Sequence, residues 1–190
     1  FSGEIARKDD ALTTLRKKCL EGMQSEGFDL AIATEGSFGN HPTVFFAPAN
    51  DELIMLVDQK NNLEIVERVL SMDTNFDSSE IHTKEELKAF LDKVQFPSHA
   101  VIMKNAAENW TKIYKGITDY DSVEKIYDEI VVSSNSCFIE TDMRAMFNPT
   151  RIRIIKEVSL KLIKKAQSVC PECLFPGFGV VGAEAGLLCS

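Results

Sequence analysis

The chain reads as an α/β protein, and three observations say so. Amphipathic helical stretches alternate with short apolar strand-like runs, helix-start signals recur at regular intervals, and a cysteine pair follows the last helix. The pattern predicts one α/β domain over residues 1–169, with a mixed sheet flanked by helices. A truncated zinc-ribbon-like module is expected over residues 170–190.

Residues 9–25 place Ala11, Leu12, Leu15, Cys19 and Met23 on one stripe, and Gly27 ends that helix. Phe28 to Thr34 is short and apolar, as a buried strand should be, and runs into a loop over Thr34–Pro42 punctuated by two glycines and a proline. Two further runs, Glu52–Val57 and Leu63–Leu70, are joined by the polar turn Asp58–Asn62 and predict a hairpin. Thr83 and Glu86 have capping-box spacing and open a helix with Leu87, Phe90, Leu91 and Val94 inward, ended by Pro97. His99–Lys104 and Trp110–Ile117 read as strands. Asp121 and Glu124 repeat the capping spacing before a helix carrying Val123, Ile126, Tyr127 and Ile130, and Cys137–Thr141 reads as the last strand. Asn148-Pro149 is the sharpest start signal, because Asn caps and Pro sits where its missing N–H costs nothing. That helix runs to about Val169, with Ile152, Ile155, Ser159, Leu162, Ile163 and Ala166 expected on the buried side.

A net charge of −8 opposes a general nucleic-acid-coating role. No apolar run approaches the roughly 18–20 residues of a membrane span, so no membrane partner is expected. The charged first twenty residues lack the apolar stretch of a signal peptide. Five cysteines, three of them near one end, suit metal better than a disulfide framework. A cytoplasmic location is expected, where the sequon Asn109-Trp110-Thr111 has no use. The start at Phe1 and the stop at Ser190 read as cut ends.

Four segments carry candidate chemistry. Cys170-Pro171-Glu172-Cys173 is one zinc knuckle, and Cys189 begins a second whose partner would fall past Ser190. Free or redox thiols on a tail are the competing reading. In the Thr34–Pro42 loop, Glu35 is placed to hold a cation or a water, Gly36, Ser37 and Gly39 to present backbone N–H groups, and His41 to point into the same space. The plainer alternative is a turn with a solvated Glu35 and with His41 stacked on Phe38. In Glu140–Arg151, Glu140 and Asp142 at i and i+2 face one side, as cation binding or a paired acid–base arrangement requires. Arg144 and Arg151 are forks for phosphate, and Asn148 opens a helix whose N-terminus favours an anion. Against this stands a structural Asp142–Arg144 pair with Asn148 merely capping. The last segment is the basic face of the final helix (Arg153, Lys156, Lys161, Lys164, Lys165), most simply a solvated surface and otherwise a nucleic-acid contact. Lys18, in the first helix, is placed to approach a phosphate. His82 and His99 read as surface or strand-edge residues.

Phe1–Ile5, Thr34–Pro42 (TEGSFGNHP), Phe96–Ala100, Glu140–Arg151 (ETDMRAMFNPTR) and Cys170–Cys173 together resemble an uncharacterised, mainly bacterial family defined only as a domain of unknown function. The resemblance spans essentially the whole chain and implies an enzyme-like domain with a zinc-bearing appendage, but no activity. Phe28–Gly36, with the basic helix before it, is similar to the inosine/xanthosine triphosphate pyrophosphatases. That likeness implies Mg²⁺ at Glu35 and triphosphate contact by Lys18. The chain departs from those enzymes in lacking their N-terminal loop, in its second Gly-rich turn and in carrying a ribbon motif.

Two functions follow as expectations. One is a Mg²⁺-dependent phosphohydrolase or nucleotide-handling enzyme with a small phosphate-bearing ligand. The other is a non-catalytic adaptor whose ribbon and basic helix dock nucleic acid or a protein.

Overall fold

The computed structural model describes residues 9–180 and residue 186. Helix α1 (Ala11–Glu26) starts at Asp10, whose carboxylate accepts the N–H groups of Leu12 and Thr13 at 2.9 and 3.0 Å. It stops at Gly27, which takes a left-handed φ of 71° and returns its N–H to Met23. Strands β1 (Leu30–Asn40), β2 (Pro48–Asp58) and β3 (Leu63–Ser71) form an antiparallel sheet in chain order. A second antiparallel sheet has the order β4 (Ser78–Ile81), β7 (Cys137–Thr141), β5 (Val101–Lys104), β6 (Ile113–Ile117).

Strand alternation decides which helix covers which face. Met55 and Val57 of β2 point to Leu15, Cys19 and Met23 of α1. Ile54 of β2, with Ile65 and Val69 of β3, meets Ile154, Val158 and Leu162 of α4 (Pro149–Gln167) on the other face. Helices α2 (Lys84–Lys93) and α3 (Tyr120–Ser134) cover one face of the second sheet, where Leu87, Phe90, Val123 and Ile130 pack on Val101, Met103 and Ile139.

The mixed α/β domain is present, but the single mixed sheet is corrected to two antiparallel sheets. The reason is β4, four residues long and pairing with β7 from far along the chain, which leaves no parallel neighbour within either sheet. The Thr34–Pro42 loop is corrected too. β1 runs through it to Asn40, because Gly36 and Gly39 pair with Glu52 and Ala49 of β2. In α4 the buried stripe is Arg151, Ile154, Val158 and Leu162, while Ile152 and Ile163 are exposed. The shift follows from Arg151, which a buried carboxylate draws inward. The hairpin of β2 and β3, the Thr83–Glu86 capping box and the Asn148-Pro149 start stand as read. Asp119, not Asp121, caps α3.

Candidate functional site at the junction of the two sheets

Asn148 organises the junction. Its side-chain oxygen caps α4 by accepting the Arg151 N–H at 2.9 Å, and its amide donates to Asn75 at 2.8 Å. The cap brings Arg151 against β2. There Nε and Nη2 each reach a Glu52 carboxylate oxygen at 3.0 Å, and Nη1 donates to the Met143 carbonyl at 2.7 Å. Glu52 is 0% and Arg151 5% exposed. Gly36 faces Glu52 across the strands, and a Cβ there would lie 2.6 Å from Glu52 Oε2 and 2.7 Å from Arg151 Nη2. Only a glycine lets this fork lie on the strand. The guanidinium also sits 5.3 Å from the centre of the Phe38 ring.

A second pair lies one turn before the helix. Asp142, fully buried, accepts Arg144 Nε at 2.9 Å and the Gly116 N–H at 3.1 Å, and its own N–H bonds Ala100. Gly116 has φ +68°, and Arg144 extends over Phe147 at 4.5 Å with about a third of its side chain in solvent. A third pair joins Lys104 of β5 to Glu140 of β7 at 2.9 Å. Burial raises the Glu140 carboxyl above its usual range, with Lys104 pulling down and Asp142 adding to the rise. Glu140 and Asp142 each pair with a separate cation, Lys104 and Arg144. The side-chain oxygen of Asn50, two residues before Glu52 on β2, is buried without a hydrogen-bond partner among the described residues.

Glu35 and Lys18 pair with each other on the other face of β1, under α1. Alternation sends Glu35 that way and Gly36 towards Arg151. The structure therefore brings Gly36, Arg151 and the Met143 carbonyl together and sets Glu35 with Lys18 apart from them. Ser37 and Gly39 lie along β1 opposite Asp51 and Ala49. His41 holds the tip of the hairpin of β1 and β2, its Nδ1 accepting the N–H groups of Thr43 at 3.2 Å and Val44 at 3.1 Å.

The cysteine pair closes a tight turn. Val169 bridges Pro176, Cys170 N–H donates to Phe175 at 2.8 Å, and Leu174, at φ 59°, donates back to Cys170 at 2.8 Å. The Cys170 thiol is held below the ordinary range, chiefly by the backbone N–H groups of Cys173 and Glu172. The turn leans on β3, where a Cβ at Gly177 would stand 3.0 Å from Ile65. Cys189 lies outside the described residues. Among the described residues, no three His, Cys, Asp or Glu side chains converge as a metal site.

A family model matches residues 18–190. The chain belongs to the DUF6671 family, described as a domain of unknown function. No curated protein and no solved structure matches it. The stretch matched in this DUF6671 chain holds every junction residue and the cysteine turn.

Sequence reasoning missed Glu52, Lys104 and His99. The signal for the first two was a charge inside an apolar run, E-L-I-M-L-V and V-I-M-K, since such residues are rarely buried unless paired. His99 is not a surface residue. It is buried, with Nε2 accepting the Thr150 N–H at 3.2 Å and Nδ1 3.0 Å from Ser98 Oγ. The proton therefore sits on Nδ1, and burial keeps the pKa below the usual histidine value.

Proposed function

We propose that this DUF6671 chain is a phosphate-ester hydrolase or other nucleotide-handling enzyme working at the junction of its sheets. The observation that carries the reading is the concentration of buried, paired charge: Glu52–Arg151, Asp142–Arg144 and Lys104–Glu140. Burying ion pairs costs more than filling the same space with apolar side chains, so a cluster of them marks a site kept for chemistry. Arg144, partly in solvent, is the fork for a phosphate, and Asp142 sets its plane. Glu140, with its proton affinity raised, moves a proton to or from water or the leaving oxygen. Mg²⁺ arrives with the substrate and needs only one or two carboxylates. Glu35 with Lys18, on the opposite face of β1, takes no part in this site. Zn²⁺ would be structural, held by Cys170, Cys173 and Cys189. Their chemistry fits, since Cys170 and Cys173 share one tight turn, as two thiolates of a knuckle would. The four free thiols among the described residues accord with a cytoplasmic setting.

The test is phosphate release from a panel of nucleoside di- and triphosphates with and without Mg²⁺. Arg144→Ala and Glu140→Gln should each lower the rate by about 10²-fold or more. Absence of metal-dependent release from every substrate by folded protein rejects the reading.

One observation favours the adaptor as a second reading. A groove of about 290 Å³ runs between Lys161 and Lys164 of α4 and Phe178 and Val180 beyond the cysteine turn. A basic and aromatic surface of this kind is suited to an anionic, base-bearing strand. Binding of labelled single-stranded oligonucleotides, weakened by Lys164→Ala, would support it.

A further inference from the structure

We propose that the cleft beside the hairpin of β1 and β2 is the subsite for a nucleobase or similar planar heterocycle. This rests on the phosphate-handling reading and names the remainder of its substrate. The cleft measures about 470 Å³, within the range of about 300–1,000 Å³ typical of small-molecule sites.

One wall is the hairpin end, with Asn40, Pro48 and Phe46. Phe46 is 91% exposed, yet its turn is fixed by His41 Nδ1 and by the bonds His41 N–H to Ala47 at 2.8 Å and Ala47 N–H to Val44 at 2.9 Å. Holding a phenyl ring in water on an ordered turn forfeits its burial energy and suits a ring that awaits a partner. Phe76 also lines the cleft, as does Asn75, buried and clamped between Val94 and Asn148. Gln95 stands at the rim with a left-handed φ of 67°, secured because its carbonyl accepts both the Ser98 hydroxyl and the His99 N–H. Asn40 and Gln95 each bring an amide that makes no hydrogen bond with the described residues. Each amide offers both donors and an acceptor, which is what the polar edge of a base pairs with. Two phenyl rings and two open amides fit a flat heterocycle better than a sugar or an aliphatic acid.

The cleft also points to the anion-binding end. Phe76 packs on Phe38 at 5.8 Å, and Phe38 lies under Arg151. Asp77 on the cleft wall exchanges hydrogen bonds with Thr141, the residue before Asp142. The cleft thus adjoins the Arg151 fork through Phe76 and Phe38, and the strand that leads to Asp142 through Asp77.

The test is calorimetric titration of the whole chain with uncharged nucleosides (adenosine, guanosine, inosine, cytidine, uridine) and, separately, with tripolyphosphate. At least one nucleoside should bind, and Phe46→Ala should weaken it by about fivefold or more, the loss expected of one stacked ring. Gln95→Ala should change which nucleoside binds best. Neither substitution should alter tripolyphosphate affinity. Failure of every nucleoside to bind, or binding indifferent to Phe46→Ala and Gln95→Ala, overturns the base subsite. If tripolyphosphate still binds in that case, the phosphate-handling reading survives alone. Nucleoside binding without tripolyphosphate binding removes that reading and leaves the cleft.

Discussion

Replacing Arg151 by Met leaves the Glu52 carboxyl without its partner in a site with no access to solvent. Stripping one partner from a buried ion pair costs about 3–5 kcal/mol. The Met143 carbonyl also loses its donor, and Phe38 its cation. For a protein stable by about 5–15 kcal/mol this is about a fifth or more of the total. At about 2–4 °C per kcal/mol for a chain of this size, the melting temperature should fall by roughly 6–20 °C. Changing Glu52 to Leu as well removes the orphaned carboxyl, so the double variant should be more stable than Arg151→Met alone, with a coupling of about 2 kcal/mol or more. Urea unfolding of the four members of the cycle measures it. A loss below about 1 kcal/mol in the single variant, or strictly additive losses, would refute the view that this fork is a desolvated, mutually dependent pair. A double variant that folds well but releases no phosphate would separate the fork's role in catalysis from its role in holding the strands.

His99 makes a pH prediction. Its folded pKa lies below the unfolded value of about 6.5, so the unfolded chain binds the extra proton. Its contribution is complete above that value and is lost as pH falls through the lower folded pKa. His99→Gln, which keeps an acceptor for Thr150, should flatten the decline in the urea midpoint over that window. The cysteine turn predicts zinc in protein purified without chelator, measured by mass spectrometry of the metal. Cys170→Ser with Cys173→Ser should remove it, and zinc retained by that variant, or absent from the parent, sinks the assignment.

The helix starts were legible because they are local: Asn148-Pro149 and Thr83 with Glu86 satisfy their own backbone N–H groups within one turn. The hairpin of β2 and β3 was legible for the same reason. The second half of β1 was not, because the glycine that looked like a loop marker at position 36 is there for a fork arriving from Arg151, over a hundred residues on. The phase of α4 failed likewise. Its sequence has apolar residues on two flanks, and the choice between them was made by Glu52, a partner on another element. Glu140, Asp142, Arg144 and Arg151 were readable as a charged segment, but which of them pair with which required the two-sheet arrangement.

The placement of α4 has a consequence for the order of synthesis. The first sheet is complete in sequence at Ser71, but the helix that covers its second face begins only at Pro149. At about 5–20 residues per second, the ribosome leaves Ile54, Ile65 and Val69 uncovered for roughly 4–15 s. The second sheet with α2 and α3 occupies the intervening chain without a break, so it can close on its own core in that interval. Translation therefore lets the middle of the chain close on its own core before α4 arrives to seal the sheet that was read first.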